Sequence, residues 1–339
     1  MQPFTYERAG SAADGARLGK LTAHGDVHAR TQFLAGGTTQ VDLMKLNVLT
    51  PEVLVDLNAL RQQHAKIAVD AQGVTFGAFA TMAEAANNPE VARSYPVIAD
   101  SLNLAASQQI RNMATLGGNL LQRTRCNYFR DVTWKSCNKR APGSGCAALE
   151  GVNRNHAVLG VDDSCIAQYP GDFAVAMIAL DAVLTLQGAR GTRKLPVAQL
   201  HRPPGGQPHL EHNLEPGELI VGIHVPAGAW TPRSTYIKVR DRESYEFAIA
   251  SAAVALDLDG EVVRAARIGL GGMAYRPWRA TAAEQALTGQ RLTRATAEQA
   301  AQAALEGAIT HGHNDYKPEL GRRTLVRALL TAQTMSVRS

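Results

Sequence analysis

The stretch TQFLAGGTTQVDLMKL, residues 31–46, decides the fold, because it places an extended apolar segment, a glycine turn and an amphipathic helix in immediate succession. Gly36 and Gly37 lack a Cβ, so the backbone N–H groups of this turn can approach an anion closely. Two threonines and a glutamine at 38–40 add side-chain donors at the start of the helix. The pattern suits a pyrophosphate group.

A second glycine turn, ATLGGNLLQ at 114–122, repeats the same device with Gly117 and Gly118. A single Gly-Gly pair is usually an ordinary tight turn, whereas two such pairs beside threonines are harder to explain as turns alone. The segments EVLVDLNAL and GVTFGAFATMAEAANN predict short strands followed by helices, and DFAVAMIALDAVLTLQG at 172–188 continues this alternation. The first two thirds of the chain are therefore expected to be of the α/β kind.

The character of the sequence changes after ELIVGIHVP, where residues 227–234 have the composition of a linker. Beyond it, STYIKVRD, FAIASAAVALDLDGEVVRAARIGLGG and an alanine-rich tail predict an antiparallel sheet with helices packed on one face. The segment GLGGMA at 269–274 fits a dinucleotide-binding fingerprint. Pro277 disfavours a helix starting at these glycines, and no acidic strand end follows about 20 residues later, so we do not expect a nicotinamide site there.

Composition limits the classes of function. The chain has 339 residues, of which 45% are hydrophobic and 19% charged, as in globular proteins large enough for two or three subdomains. A net charge of +5 is too modest to indicate a nucleic-acid partner. The longest apolar run, at 173–180, is far shorter than the roughly 20 residues of a membrane helix, so we expect no membrane span. The N-terminal residues have no pattern of an export signal.

All the cysteines of the chain fall in one segment and number four: Cys126, Cys137, Cys146 and Cys165. Their spacing matches neither the tight knuckles of structural zinc nor the run of bacterial ferredoxins. Basic residues are concentrated in the same segment, since residues 121–146 contain six Lys and Arg residues and only one acidic residue, Asp131. A cluster with four thiolates carries negative charge that such residues would stabilise. Spacing alone leaves free buried thiols, a metal or cluster, and disulfides all open.

Five segments, in chain order, carry a family resemblance: FLAGGTTQVDLMKL, IRNMATLGGNLLQ, GDFAVAMIALDA, ELIVGIHVP and YIKVRDRESYEFAIASAAVAL. Together they resemble the FAD-binding medium subunit of xanthine dehydrogenase-family molybdenum hydroxylases, over essentially the whole chain. The cysteine-containing segment is similar to an insert found in the subset of these subunits that carries an additional 4Fe-4S cluster. Within that subset the resemblance is closest to the subunits of periplasmic bacterial aldehyde oxidoreductases.

The resemblance implies an α+β fold in two parts. Residues 1–226 would form a FAD-binding domain of the PCMH/vanillyl-alcohol-oxidase type, with two α/β subdomains and the cysteine insert at about 123–167. Residues 232–335 would form the C-terminal domain of the molybdenum hydroxylase flavoprotein type, an antiparallel sheet with helices on one face.

The resemblance also implies the site residues. The FAD pyrophosphate and the adjoining ribityl and ribose groups would be held by Ala35, Gly36, Gly37, Thr38, Thr39 and Gln40. The second flavin-contacting turn would use Thr115, Gly118, Asn119 and Gln122. Asp172 would face the cofactor, and Leu219 and Lys238 would approach the flavin from the following subdomain. The four cysteines would ligate the 4Fe-4S cluster.

Some of these positions have a second interpretation. Asp172 is also placed to cap the helix that follows it, and Lys238 could be a solvated strand residue. Gly171 stands where the family often has a serine, which puts one local hydrogen bond in doubt.

No residue pattern indicates a catalytic base or nucleophile, so we expect this chain to relay electrons. The resemblance implies the FAD- and 4Fe-4S-binding electron-transfer subunit of a heterotrimeric oxidoreductase. Its molybdenum subunit would act on an aldehyde or an N-heterocycle, and the closest resemblance favours an aldehyde. The partners of this chain would be a large molybdenum-cofactor subunit and a small subunit with 2Fe-2S clusters, and FAD would pass electrons to an external acceptor. The complex would be periplasmic by co-export with a signal-bearing partner, and otherwise cytoplasmic. The rival functions are a stand-alone flavin-dependent oxidase and a zinc-stapled nucleic-acid binder built on 122–146.

Overall fold

The structure, a computed structural model, describes residues 1–22 and 26–336. The strands of this part are β1 (Thr5–Arg8), β2 (Thr31–Leu34), β3 (Val53–Asp56), β4 (Ile67–Asp70), β5 (Gly73–Gly77), β6 (Val183–Gly188), β7 (Gly191–Pro196), β8 (Leu219–Pro226), β9 (Ser234–Val239), β10 (Ala250–Asp259), β11 (Val262–Gly271) and β12 (Trp278–Arg279). The helices are α1 (Ala12–Leu18), α2 (Gln40–Lys45), α3 (Arg61–His64), α4 (Met82–Ala86), α5 (Pro89–Ser94), α6 (Pro96–Asn103), α7 (Gln108–Met113), α8 (Leu116–Leu120), α9 (Asn127–Arg130), α10 (Asp172–Ala179), α11 (Thr281–Leu287), α12 (Arg294–Ala304) and α13 (Lys317–Gln333). Short 3-10 turns lie at Gly19–Leu21, Asn58–Leu60 and Val197–Gln199.

The first sheet has the order β1-β3-β2, and both of its strand pairs are parallel. Because the carboxyl ends of parallel strands meet at one edge, the glycine turn after β2 lies beside the end of β3. Asn58, just past β3, donates from its Nδ2 to the carbonyl oxygen of Ala35, at 3.3 Å. The strand, turn and helix predicted at 31–46 are confirmed as β2, the turn and α2.

The second sheet is antiparallel throughout, with the order β4-β5-β8-β6-β7. Helices α4 to α8 and α10 belong to the same subdomain, and Phe76, Leu116, Phe173 and Ile223 are fully buried in its core. The predicted alternation is confirmed here, since segment 73–88 forms β5 followed by α4 and segment 172–188 forms α10 followed by β6.

The third sheet has the order β12-β11-β10-β9 and is antiparallel, as the sequence predicted. Helices α11, α12 and α13 pack on one face, and α6 and α10 of the preceding domain cover the other. At Gly269 a methyl group would collide with the carbonyl oxygen of Val175, and at Gly271 with the Val175 side chain. The glycines of GLGGMA therefore allow α10 to pack closely on β11, and no helix begins at them.

The cysteine insert has little regular structure besides α9 and three isolated bridges, which join Cys137 to Cys146, Asp162 to Cys165, and Leu159 to Ala274 of the C-terminal domain. Gly143 and Gly145 adopt φ values of +85° and +93°, which bend the loop as glycine permits. The insert has a small apolar cluster around Tyr128, Ala148 and Ile166. Polar contacts add to it, since the Arg140 guanidinium donates to backbone carbonyls of residues 128, 129, 131 and 134.

Residues 227–233, between β8 and β9, form no helix or strand. In the described part of the chain, no helix combines the length and the apolar character needed to cross a lipid bilayer.

Candidate functional site

A cavity of about 560 Å³ opens between the first and second sheets, under a loop from the C-terminal domain. Residues from separate segments converge on it. Of the thirteen predicted cofactor-binding residues, those that line the cavity are Ala35, Gly36, Gly37, Thr38, Thr39, Gln40, Thr115, Gly118, Asn119, Gln122, Asp172 and Leu219. Lys238 does not line the cavity but lies directly behind Asp172.

The first glycine turn is fixed by its backbone. Gly37 has a φ of +73°, a left-handed conformation that favours glycine. A methyl group at Gly36 would collide with the backbone carbonyl oxygen of Met113, so this glycine lets the turn dock on the segment that precedes the second turn. Thr39 is the N-cap residue of α2, yet its hydroxyl makes no capping bond within the described structure. The turn therefore presents unengaged polar groups to the cavity.

The second turn is held by Thr115, whose Oγ1 accepts from the backbone N–H of Gly118 at 3.3 Å. The side-chain Nδ2 of Asn119 contacts Met82 Sδ at 3.3 Å. Its Oδ1 is buried and has no hydrogen-bond partner among the described residues. A buried carbonyl oxygen without a donor is costly, so this atom at the cavity wall is available to accept a hydrogen bond from a ligand.

Asp172 is the first residue of α10 and is buried at the cavity wall, with Gly171 as the N-cap. Its carboxylate accepts from Tyr236 Oη at 2.7 Å and from Lys238 Nζ at 2.8 Å. Burial raises the pKa of Asp172, and the Lys238 ammonium opposes that shift. The interpretation of Asp172 as a helix cap is wrong, because its side chain is turned to these two partners. Lys238 is likewise not a solvated strand residue.

Basic residues that the sequence did not assign to the cavity form part of its rim. Arg125 and Arg130 both bind the carboxylate of Asp42, at 3.0 Å and 2.8 Å. Burial acts to raise the pKa of Asp42, but its hydrogen bonds to the two guanidinium groups hold the pKa below its usual value. The guanidinium carbon of Arg125 lies 4.7 Å from the ring centroid of Phe247. The excess of positive charge in the insert indicated a group of basic side chains, but not that they line the cavity or bind Asp42.

The segment between β9 and β10 overhangs the cavity. Tyr245 lines it, is 55% exposed, and has a φ of +54°, which is unusual for a residue with a side chain. Arg242 holds the segment by donating to the Tyr245 carbonyl oxygen.

The structure brings the four cysteines together in the insert. They form no disulfide with one another, and Cys137 and Cys165 are buried while Cys126 and Cys146 are half-buried. Cys126 packs in contact with clusters that contain each of the other three. Burial raises the pKa of Cys126 to about 12, and a hydrogen bond from Cys165 lowers the pKa of Cys146 to about 6.

The charge pattern around the cysteines is simpler than predicted. The hydrogen bond with Cys146 and burial raise the pKa of Cys165, and the nearby Lys139 ammonium opposes that shift. Arg125 and Arg140, which we expected to offset cluster charge, are bound to Asp42 and to backbone carbonyls instead. Across residues 1–22 and 26–336, no group of three or more His, Cys, Asp or Glu side chains is arranged to hold a metal ion. The four thiols therefore lie in one part of the insert, but the described side chains do not form a metal-binding arrangement.

Comparison with protein families gives two matches. A family described as "FAD binding domain in molybdopterin dehydrogenase" matches residues 2–228. A family described as "CO dehydrogenase flavoprotein C-terminal domain" matches residues 235–332.

Individual proteins are similar over almost the whole chain. The aldehyde oxidoreductase FAD-binding subunit PaoB of Escherichia coli is 43% identical over 341 residues, covering 99% of this chain and 100% of that protein. The carbon monoxide dehydrogenase medium chain of Afipia carboxidovorans is 28% identical, covering 97% and 96%. Among solved structures, reconstituted CO dehydrogenase from Oligotropha carboxidovorans contains a chain that is 26% identical with a TM-score of 0.76, covering 99% of this chain and all of its own.

Proposed function

Because this chain belongs to the family of FAD-binding medium subunits of molybdenum hydroxylases, we propose that it is the electron-transfer subunit of a heterotrimeric aldehyde oxidoreductase. The observation that carries the proposal is the cavity between the first two sheets, on which both glycine turns, Asp172 and Leu219 converge. Bound FAD supplies the redox chemistry, and the protein supplies binding, orientation and electrostatics.

The residues of the cavity have distinct tasks in this proposal. The turn at 35–39 offers backbone N–H groups and hydroxyls to the pyrophosphate. Asn119 Oδ1 accepts a hydrogen bond from the cofactor, which satisfies an otherwise unpaired buried atom. Asp172, held by Tyr236 and Lys238, presents a fixed acidic group to the cavity. None of these groups abstracts a proton from a substrate carbon.

The partners follow from the same family membership. A large molybdenum-cofactor subunit would oxidise the aldehyde, and a small subunit with 2Fe-2S clusters would deliver electrons to FAD, which passes them to an external acceptor. The full-length similarity to an aldehyde oxidoreductase FAD-binding subunit supports aldehyde as the substrate class. The periplasm, reached by co-export with a signal-bearing partner, is the proposed compartment.

The flavin assignment is tested at Gly37. Replacement with valine puts a β-branched residue at a φ of +73° in the turn that meets the pyrophosphate, so bound FAD should be lost. The matched control is Gly260→Val, which imposes similar strain at a φ of +59° in the open β10–β11 hairpin. FAD per chain is measured by absorbance after purification. Full occupancy in Gly37→Val, or equal loss in both variants, would contradict the assignment.

A stand-alone flavin oxidase is separated from a relay subunit by one measurement. Aldehyde is added anaerobically to the purified chain and to the assembled complex, and the flavin absorbance is followed. We expect bleaching only in the complex. Bleaching in the isolated chain would favour the oxidase.

We further propose that Cys126, Cys137, Cys146 and Cys165 ligate a 4Fe-4S cluster. The convergence of four cysteines in one partly buried group supports this, and four is the ligand number of a cubane cluster. Such a cluster holds four irons, so its thiolates stand further apart than those around one ion. The basic Lys139 beside Cys165 favours a negatively charged centre.

The cluster is tested by iron and acid-labile sulfide content in each of the four single Cys→Ser variants. Each variant should lose most of its iron, whereas Ser136→Ala, which alters an exposed side chain of the same loop, should keep it. Zinc without iron in the wild-type chain would instead favour the zinc-stapled nucleic-acid binder. Iron that persists in all four variants would exclude the cluster.

A further inference from the structure

Three charged side chains are buried together in the wall between the cavity and the cysteines. Glu211 binds one cation with each carboxylate oxygen: Arg123 Nε lies 2.9 Å from Oε2, and Lys139 Nζ lies 2.8 Å from Oε1. All three side chains are at most 10% exposed. We refer to Arg123, Lys139 and Glu211 as the buried triad.

Each member of the buried triad comes from a different part of the site. Arg123 lines the proposed FAD cavity. Lys139 belongs to the loop between Cys137 and Cys146, and also donates to Tyr275 Oη at 2.7 Å. Glu211 lies in the loop between β7 and β8 and does not line the cavity. The carboxylate thus joins the cavity wall to the cysteine loop.

Glu211 is rigidly held. Its carbonyl oxygen accepts from the backbone N–H of Arg202 at 3.0 Å, and an isolated bridge between His201 and His212 closes the loop that carries it. Burial acts to raise the pKa of Glu211, but Arg123 and Lys139 outweigh it and lower the pKa to about 2. The group is therefore an anion at neutral pH.

The Arg123 guanidinium also packs on an aromatic ring. Its guanidinium carbon lies 4.9 Å from the centroid of Phe129. A buried guanidinium needs a charged partner to remain in place, because its desolvation is otherwise uncompensated. Glu211 supplies that partner at a fixed position, and Phe129 limits movement on the other side.

We propose that Glu211 is a positioning residue that fixes Arg123 against the FAD cavity, and that it couples flavin binding to the cysteine loop through Lys139. This inference rests on the proposed FAD site. It assigns an effect on flavin to a carboxylate that does not contact the cavity. The guanidinium, placed beside the cofactor, favours the anionic groups of FAD.

The test is a double-mutant cycle on FAD binding by the full-length chain. The variants Glu211→Gln, Arg123→Met and their combination are stripped of flavin and titrated with FAD, and the flavin midpoint potential is measured on each reloaded chain. Glu211→Gln should weaken FAD binding about tenfold or more and lower the midpoint potential. The combined variant should bind FAD as Arg123→Met does, because Glu211 acts through that residue. Losses that simply add would overturn the inference.

Two further variants keep the test decisive. If Glu211→Gln does not fold, Lys139→Met/Glu211→Gln removes one cation with the anion and leaves the local net charge unchanged, and it should show the same weakening. Glu215→Gln, in an exposed ion pair with Arg190 on the neighbouring turn, is the control and should bind FAD normally.

Failure of the wild-type chain to bind FAD would refute the proposed function. Normal binding and potential in the Glu211 variants would refute only this inference.

Discussion

At the residue scale, the site depends on charged groups that are buried in pairs. Lys238 and Asp172 have side-chain exposures of 1% and 4%, whereas Arg154 and Asp241 form an ion pair of similar length at 46% and 52%. Removing one member of a buried pair leaves the other charge uncompensated, while an exposed member is simply solvated. The two pairs should therefore differ sharply in their contribution to stability.

Replacement of Lys238 by methionine should lower the free energy of unfolding by about 3 to 5 kcal/mol at neutral pH. Without the ammonium, burial raises the pKa of Asp172 further in the folded variant. At low pH the buried Asp172 is protonated and neutral, so the variant keeps its stability. As the pH rises through the folded-state pKa, the buried carboxylate becomes charged without a partner and this stability is lost. Urea unfolding at about pH 5 and about pH 8 should show the larger deficit at the higher pH. Arg154→Met is the control and should change stability by no more than about 0.5 kcal/mol. Equal effects at both pH values would contradict this account.

A second prediction at this scale concerns Asn119, whose Oδ1 has no partner in the described structure. Asn119→Leu removes a buried unsatisfied oxygen and keeps a similar volume, so the chain without flavin should melt at the same temperature or higher. FAD binding should weaken about tenfold, because the ligand loses an acceptor. Thermal melts and FAD titration on the same samples measure both effects. A less stable apoprotein with unchanged FAD affinity would show that Asn119 is structural.

At the element scale, glycines set the distances between packed units. Gly269 of β11 faces the backbone of α10, and the first residue of that helix is Asp172. Gly269→Ala should therefore push α10 off the sheet, destabilise the chain by about 1 to 3 kcal/mol and weaken FAD binding. Gly222→Ala in β8 is the matched control, since its nearest neighbours, in Thr185, lie 3.5 Å from the added carbon. Urea unfolding and flavin content distinguish the two, and equal stability would contradict close packing at Gly269.

The elements also explain how far sequence alone could predict this site. The two glycine turns were predictable because their requirements are local: a missing Cβ, a left-handed φ at Gly37, and threonines at helix starts. The basic rim of the cavity was not predictable, because Arg125 and Arg130 bind Asp42, which lies 83 and 88 residues away from them in the chain. No local pattern specifies such a pairing. The burial of Lys238 was not predictable for the same reason, since a strand position can be solvated or buried depending on the helix packed against it.

At the scale of the whole molecule, the cysteine insert joins the two domains. Asn153 of the insert donates to the carbonyl oxygen of His311 at 2.7 Å. Lys317, the first residue of α13, donates to the carbonyl oxygen of His156 at 3.0 Å and to Gln168 Oε1 at 2.8 Å. The side chain of Lys317 is completely buried with these neutral acceptors. The stability of the interface between the domains should therefore depend on the charge of one lysine.

Burial lowers the pKa of Lys317 to about 7 from its ordinary value of 10.5. Between these values the unfolded chain binds a proton that the folded chain does not, so the stability of the protein should rise with pH, by up to about 1.4 kcal/mol per pH unit. Lys317→Met cannot titrate and should lose this contribution. We expect the variant to be less sensitive to pH than the wild type when unfolding is compared at about pH 7.5 and about pH 9. Lys135→Met, at an exposed position of the insert, should retain the wild-type slope. If Lys317→Met retained it as well, the lysine would be charged in the folded protein throughout this range, and the neutral acceptors around it would suffice to stabilise a buried ammonium.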